Sequence, residues 1–283
     1  MNDVMEIKKI GKQYKKVVLE DISFNVPKGF ITGLVGPSGA GKTTIINACL
    51  GLIKCDSGSC KVFGEDLFIN PVMRQDIGIV PDELVYAKHL TPIEVEKQIA
   101  PFYSNWDSKS YQFYLDRFSL PDDKALNDYS KGMQMKYMLA VALSHSPRLL
   151  VLDEPTCGYD LVSREDLLSI LSDFISDGEK TVLYSTHSVS DLEIVADYLT
   201  IISQGKLKYT GTKEDLLEKY RVVKIPTKAV GFIDDSKLIG ISKVMDGFKA
   251  MIKTVHTDSL PANIVPLNAT LEEIIYYFEK EKK

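Results

Sequence analysis

Gly36-Pro37-Ser38-Gly39-Ala40-Gly41-Lys42-Thr43 is the stretch from which the rest of the chain can be read. It fits the pattern G-x-x-x-x-G-K-[ST], in which glycines let backbone N–H groups wrap phosphates. Lys42 is the residue expected to reach the outer phosphates and Thr43 the hydroxyl expected on Mg²⁺, with Thr44 next in line. Upstream, Phe30-Ile31-Thr32-Gly33-Leu34-Val35 reads as a buried strand. Downstream, residues 42–52 read as a helix with Ile45, Ile46, Cys49 and Leu50 on its apolar side. Strand, glycine turn and helix N-terminus in that order make an anion site, because the first amides of a helix have no partner within it. A nucleoside triphosphate is the expected ligand.

A second stretch, Leu149-Leu150-Val151-Leu152-Asp153-Glu154-Pro155, is an apolar run that ends in two acids. In an open α/β sheet this layout delivers Asp153 at the carboxyl end of a central strand, beside the phosphate loop. Asp153 is then the expected holder of Mg²⁺, through water. Glu154, read as the next strand residue, points to the other side as general base for an attacking water. Without the upstream loop the same pair is an ordinary solvated strand end. With it, hydrolysis of the triphosphate is the expected reaction.

Around these two stretches the chain is of ordinary globular composition. Its 283 residues, 45% of them hydrophobic, suffice for one sizeable core and a small second unit. A formal charge of −5, spread without long single-sign blocks, offers no electrostatic footprint for nucleic acid. The basic Lys280-Glu281-Lys282-Lys283 reads as a frayed helix end. Cys49, Cys55, Cys60 and Cys157 have no C-x-x-C spacing, so neither zinc nor a disulfide framework is expected, and a reducing cytosol is the natural compartment. The start of the chain has no signal-peptide pattern and no apolar stretch approaches the ~20 residues of a membrane span. Any membrane role therefore calls for a partner chain.

Residues 5–10, 19–26 and 30–35 read as strands, a β-rich entry to the phosphate loop. Between residues 91 and 146 the pattern turns helical, with Tyr111, Tyr114, Leu115 and Phe118 on one face and Met135, Met138, Leu139, Ala142 and Leu143 on another. Strands return at 149–152, 181–185 and 198–203, separated by a helix with Leu167, Leu168, Leu171, Phe174 and Ile175 inward. That alternation predicts a largely parallel sheet. Trp106-Asp107 reads as a hydrophobic anchor and N-cap for a helix from Ser108, and Thr270-Leu271-Glu272-Glu273 opens a last helix with a capping box. A boundary is expected near Lys219, giving units 1–219 and 220–283.

Three further segments complete the pattern. Tyr129-Ser130-Lys131-Gly132-Met133-Gln134 precedes an amphipathic helix about twenty residues before Asp153; by itself it is a helix start with Ser130 as N-cap. Pro155-Thr156-Cys157-Gly158-Tyr159-Asp160 follows the acids, and Tyr184-Ser185-Thr186-His187 ends a strand. Taken in order over residues 6–220, these motifs make the chain resemble the ATP-binding subunit of an ATP-binding cassette (ABC) transporter.

The resemblance implies a phosphate-loop NTPase cassette with an antiparallel β subdomain, a central, mostly parallel sheet and a helical insertion, plus a small C-terminal α+β region. It implies that Gly36, Pro37, Ser38, Gly39, Ala40, Gly41, Lys42, Thr43 and Thr44 hold ATP, that Tyr14 stacks on adenine and that Thr43 and Asp153 hold Mg²⁺. Glu154 and His187 are implied as base and switch histidine, with Lys42 offsetting charge in the transition state. Two such subunits would face head to tail, with Ser130 and Gly132 of one on the γ-phosphate held by the other, and a loop ending at Asp160 linking the sites. A homodimer or a heterodimer satisfies this equally.

Three departures from the family pattern matter. Ile77-Gly78-Ile79-Val80-Pro81 is followed by Asp82 where the family has glutamine; Asp82 is either a further Mg²⁺ ligand or an exposed turn residue. Lys131 and Met133 replace a glycine and a glutamine, although Ser130 and Gly132 stand. Cys157-Gly158-Tyr159-Asp160 keeps only the aspartate of the usual loop, so slower or differently coupled hydrolysis is expected. Tyr103-Ser104-Asn105-Trp106-Asp107 and the Ser-Lys-Gly-Met signature are similar to those of bacterial exporter subunits that handle antimicrobials, peptides, drugs or lipids. The expected partner is an integral membrane subunit whose coupling helix sits near residues 82–91, which places the chain in the cytoplasm, peripheral on the inner face of the membrane. A soluble non-transport ABC ATPase and an importer subunit are the alternatives.

Overall fold

The computed structural model describes residues 3–14, 17–156, 161–227 and 233–281. β1 (Asp3–Tyr14) and β2 (Val17–Pro27) pair antiparallel from Asp3 opposite Pro27 to Tyr14 opposite Val17. Met5 and Ile7 are buried at period two, but so is Ile10, which breaks the parity. An extra residue explains this: Lys9 has φ 49° at a register shift, its N–H donating to Ser23 Oγ at 2.8 Å, and the bulge returns Ile10 to the core. β3 (Ile31–Val35) is wholly buried and runs into the glycine loop, followed by α1 (Lys42–Cys49) and β4 (Ser57–Val62), which closes the three-stranded sheet against β1. α1 stops short of the expected residue 52 because Gly51 takes φ +65° under the backbone of Leu67 and Phe68, which only glycine does without strain.

β5 (Ile77–Val80) leads to the helical layer, α2 (Pro92–Ile99), α3 (Ser108–Arg117) and α4 (Lys131–Leu143). α2 is opened by a capping box between Thr91 and Glu94, α3 by Asp107, which accepts from Lys109 N–H, and α4 by Ser130, which accepts from Met133 N–H at 3.2 Å. α4 is apolar on nearly all sides because it is sandwiched. Met135, Met138, Leu139, Ala142 and Leu143 join the sheet core, whereas Tyr137, Ala140 and Val141 join an aromatic cluster with Tyr111, Leu115 and Tyr129.

The chain then alternates as β6 (Leu149–Asp153), α5 (Leu161–Ile175), β7 (Thr181–Thr186), α6 (Val189–Val195), β8 (Tyr198–Ser203) and β9 (Lys206–Thr212). The resulting sheet has the order β5-β6-β7-β3-β8-β9, parallel except for β9. β7 therefore lies between the strand of the phosphate loop and the strand of the acids.

α7 (Lys213–Lys219) passes directly into β10 (Tyr220–Pro226), then β11 (Leu238–Val244), β12 (Gly247–Lys253), β13 (Pro266–Asn268) and α8 (Leu271–Lys280). These strands form an antiparallel sheet in the order β11-β12-β10-β13. α8 begins with the expected capping box, Thr270 to Glu273, and buries Leu271, Ile274, Ile275, Tyr277 and Phe278. They belong to one continuous core with Leu192 and Leu199 of the central sheet region and Tyr220 and Val222 of β10.

Candidate active site

Strand register builds the site. Val35 of β3 is level with Thr186 of β7, Ser185 of β7 with Asp153 of β6, and Leu152 with Val80 of β5. The residues that leave these strands, Gly36, His187, Glu154 and Pro81-Asp82, consequently emerge along one edge of the sheet. This is the carboxyl edge, where open α/β sheets place their ligands.

The loop of residues 36–43 is shaped for close backbone approach. A Cβ on Gly36 would stand 2.1 Å from the carbonyl oxygen of Ile202, so no larger residue fits. Gly39, at φ +80°, has nothing within 4 Å of where a Cβ would point, and Gly41, at φ 105°, is the N-cap of α1. Glycine thus supplies both the turn and an uncovered helix N-terminus, a cradle for an anion. Lys42 is only 6% exposed, and its Nζ donates to the carbonyls of Gly36 at 2.7 Å and Pro37 at 3.4 Å. Thr44 is buried, and Ala40 N–H closes the loop onto the Pro37 carbonyl at 3.1 Å.

Two carboxylates face this cradle. Thr43 Oγ1 donates to Asp153 Oδ2 at 2.6 Å, while Asp153 Oδ1 is buried without a hydrogen-bond partner of good geometry. Burial pushes the Asp153 carboxyl up from its ordinary value; the Thr43 and Ser185 hydroxyls pull it down, and the charges of Asp82 and Glu154 push it further up. A buried oxygen-only donor set with one orphaned lone pair fits a hard cation such as Mg²⁺. The sign of the shift has a stability consequence. A carboxyl raised above its unfolded pKa costs stability, a cost absent below the unfolded value that grows as pH rises from there through the folded one. Asp153→Asn, which cannot ionise, is expected to raise Tm at pH 7 while hydrolysis is lost; paired thermal melts and ATPase assays at pH 7 check both directions.

Glu154 departs from the expectation that it continues the strand. β6 ends at Asp153, and Glu154 turns into the left-handed region at φ 52°, its N–H donating to the Ser185 carbonyl at 2.9 Å. That conformation costs a non-glycine residue of order 1–3 kcal/mol and is characteristic of functional turns. It points the carboxylate back toward the cradle instead of across the sheet. Oε1 lies 3.2 Å from Lys42 Nζ, and Oε2 lies 2.6 Å from His187 Nδ1 and accepts the His187 N–H at 3.3 Å. The His187 side chain itself is 58% exposed.

The remaining expected residues fall into three places. Asp82 lines a cavity of about 440 Å³ together with Thr43, Asp153, Val85, Tyr86 and His145, next to the cradle. Ser130 and Gly132 stand at the N-terminus of α4 in the helical layer, and Lys131 shares a cleft of about 360 Å³ with Asp82 and Glu83. Tyr14 ends β1, with its side chain outside the described residues, and Asp160 lies outside them altogether. Sequence reading missed His145 in that cavity. Its ring stacks on Tyr103 at 4.2 Å, burial pushes its pKa down to about 4, and its Nδ1 has no hydrogen-bond partner among the described residues. The only trace in sequence was a histidine closing the apolar face of α4.

Strand, glycine loop, helix and acid-tipped strand define a nucleoside triphosphatase of the phosphate-loop class. The ABC transporter family matches residues 19–157. The linearmycin resistance ATP-binding protein LnrL of Bacillus subtilis (strain 168) is 33% identical over 246 residues, covering 84% of this chain and 78% of that protein. The lantibiotic transport ATP-binding protein SrtF of Streptococcus pyogenes is 31% identical over 207 residues, covering 72% and 89%. A solved ATP-binding subunit of an ABC transporter superposes with TM-score 0.68 at 29% identity, covering 75% of this chain and 91% of that one. The chain belongs to the ABC transporter family as an ATP-binding subunit, and it is an ATPase. Among the described residues no helix is long and apolar enough to cross a membrane.

Proposed function

We propose that this subunit powers a membrane exporter of an antimicrobial, peptide, drug or lipid, and that its chemistry is done by the groups gathered at the sheet edge. The observation that carries the chemistry is the chain of contacts from Lys42 through Glu154 to His187, set beside the Thr43–Asp153 hydrogen bond. Residues 36–44 hold the phosphates of ATP, with Lys42 exchanging its carbonyl and Glu154 partners for phosphate oxygens. Thr43 and Asp153, with Asp82 across the shared cavity, are the groups that would hold Mg²⁺. Bound Mg²⁺ supplies charge neutralisation to the phosphates.

Glu154 takes the proton of the attacking water, and His187, already in contact with it, orients the carboxylate and meets the γ-phosphate. The exposure of His187 and of Ser130 supports a site completed by a second cassette, with Ser130 and Gly132 of that subunit reaching the triphosphate and Asp160 at the link between sites. Tyr14 stacks on the base. A ligand recognised only by the closed pair shifts the pair toward closure, and hydrolysis releases it.

The membrane partner docks in the cavity beside Asp82. Val85 and Leu52 expose apolar surface at its rim, as the groove for a helix would require. In this reading the subunit sits on the inner face of the membrane, with residues 220–283 as an accessory unit. Export is supported by LnrL and SrtF, whose names concern linearmycin resistance and lantibiotic transport. The test is a pull-down of the tagged Glu154→Gln variant with ATP from detergent-solubilised cells. An integral membrane protein is expected to co-purify, in an ATP-dependent manner; recovery of soluble proteins alone would replace the exporter with a non-transport ATPase.

A further inference from the structure

Behind the sheet edge lies a second polar cluster that the phosphate chemistry does not use. Asp191, in the first turn of α6, is fully buried, at 0% exposure. Its charge is answered from three other elements. Arg164 of α5 donates through Nε to Oδ1; Thr156 Oγ1 donates to Oδ2 at 2.8 Å; Tyr184 OH of β7 donates to the same oxygen at 2.9 Å. Arg164 also reaches Ser190 Oγ at 2.5 Å. A buried carboxylate fully supplied with donors costs little to keep, whereas one stripped of them is costly, so the cluster is rigid as a unit.

Its position in the chain gives that rigidity a use. Asp191 lies four residues after His187, and Thr156 two residues after Glu154. Tyr184 precedes His187 on the other side, and Ser188 N–H donates to Thr186 Oγ1 at 2.9 Å within the same turn. The turn that carries His187 and the turn that carries Glu154 are thus tied together from behind by one carboxylate. In front they meet at the 2.6 Å contact between the imidazole and Glu154.

We propose that Asp191, with Thr156, Tyr184 and Arg164, is a set of positioning residues that sets the His187–Glu154 geometry for hydrolysis. None of the four touches the phosphate cradle; each acts through the two turns. The inference rests on reading Glu154 and His187 as the hydrolytic pair. Displacing a positioned catalytic group by an ångström costs up to about a hundredfold in rate, and loss of one hydroxyl here is expected to cost about tenfold.

The experiment uses Thr156→Val and Tyr184→Phe, which remove one hydroxyl each at nearly constant volume, and Thr156→Ser, which keeps it. Purified full-length variants are compared in ATP hydrolysis, thermal melts and histidine-selective NMR, where the chain's four histidines give few signals. Expected are a kcat about tenfold lower for the first two variants with KM for ATP unchanged and Tm modestly lowered by the hydrogen bond lost to the buried carboxylate, wild-type kcat for Thr156→Ser, and a displaced His187 imidazole signal while those of His89 and His256 stay in place. Unchanged kcat with an unmoved His187 signal overturns the proposal, as does a kcat that falls in step with Tm while all histidine signals shift. If the wild-type chain hydrolyses no ATP, the hydrolytic reading fails, and the His187 signal alone then decides whether the brace exists.

Discussion

Replacing Glu154 with glutamine is expected to lower kcat for ATP by about 10²–10⁴-fold, the usual loss when a general base is removed. The same substitution is expected to tighten ATP binding, and this second effect follows from the geometry. Glu154 bridges Lys42 and His187 at 3.2 and 2.6 Å, the two side chains proposed to engage phosphate oxygens. An incoming triphosphate therefore competes with an internal carboxylate and is repelled by it at short range. Glutamine keeps the shape and deletes the charge. A Kd for ATP lower by about tenfold, ~1.4 kcal/mol, is the expected size. Steady-state hydrolysis and calorimetric binding on the purified chain measure both. Hydrolysis at the wild-type rate would move the base elsewhere, and unchanged affinity would mean that the carboxylate leaves Lys42 without cost.

Lys42→Met is expected to weaken ATP binding by about 10–100-fold, the range of one charge-assisted hydrogen bond in a site closed to water. Hydrolysis should fall further, since charge on the phosphates grows in the transition state. Stability is expected to move the other way or not at all. Lys42 is buried, and a buried ammonium carries a desolvation cost that its partners, two carbonyls and one carboxylate, only offset. Methionine fills the same channel without that cost. Retained or raised Tm with lost ATP binding in calorimetry would mark Lys42 as present for the ligand; a collapse in Tm would mark it as a structural residue.

The parts of the fold legible in sequence were those encoded locally. The glycine loop with its buried strand and helix, the acid-tipped β6, the Ser130 and Asp107 caps and the Thr270–Glu273 capping box all depend on residues a few positions apart. What escaped depends on pairing across the chain. Nothing near Leu149 says that β7 will insert between β3 and β6. The turn of Glu154 into φ 52° is held by the Ser185 carbonyl, thirty-one residues away in sequence, so strand periodicity pointed its side chain the wrong way.

The individual strands of the expected C-terminal α+β region were not legible, for a different reason. Val222 packs into the main core and Val223 into a separate cluster with Ile225, Ala250 and Ile252. With Val222 and Val223 both buried, the alternation of β10 is broken at its middle, so a period of two does not run its length. Asp191 left a faint signal: an acid directly before Leu192 and four residues before Val195 on the buried face of α6, a position where a charge requires partners.

The core shared by α8 and the central sheet bears on how the protein is made. Leu192, Leu199, Leu216 and Tyr220 emerge from the ribosome well before Ile274 and Phe278, which help cover them. At about 5–20 residues per second, the nascent cassette spends several seconds with that surface bare, in a form open to chaperones and to premature pairing with neighbours. Completion of this core is therefore expected to wait on α8, a helix outside the proposed site.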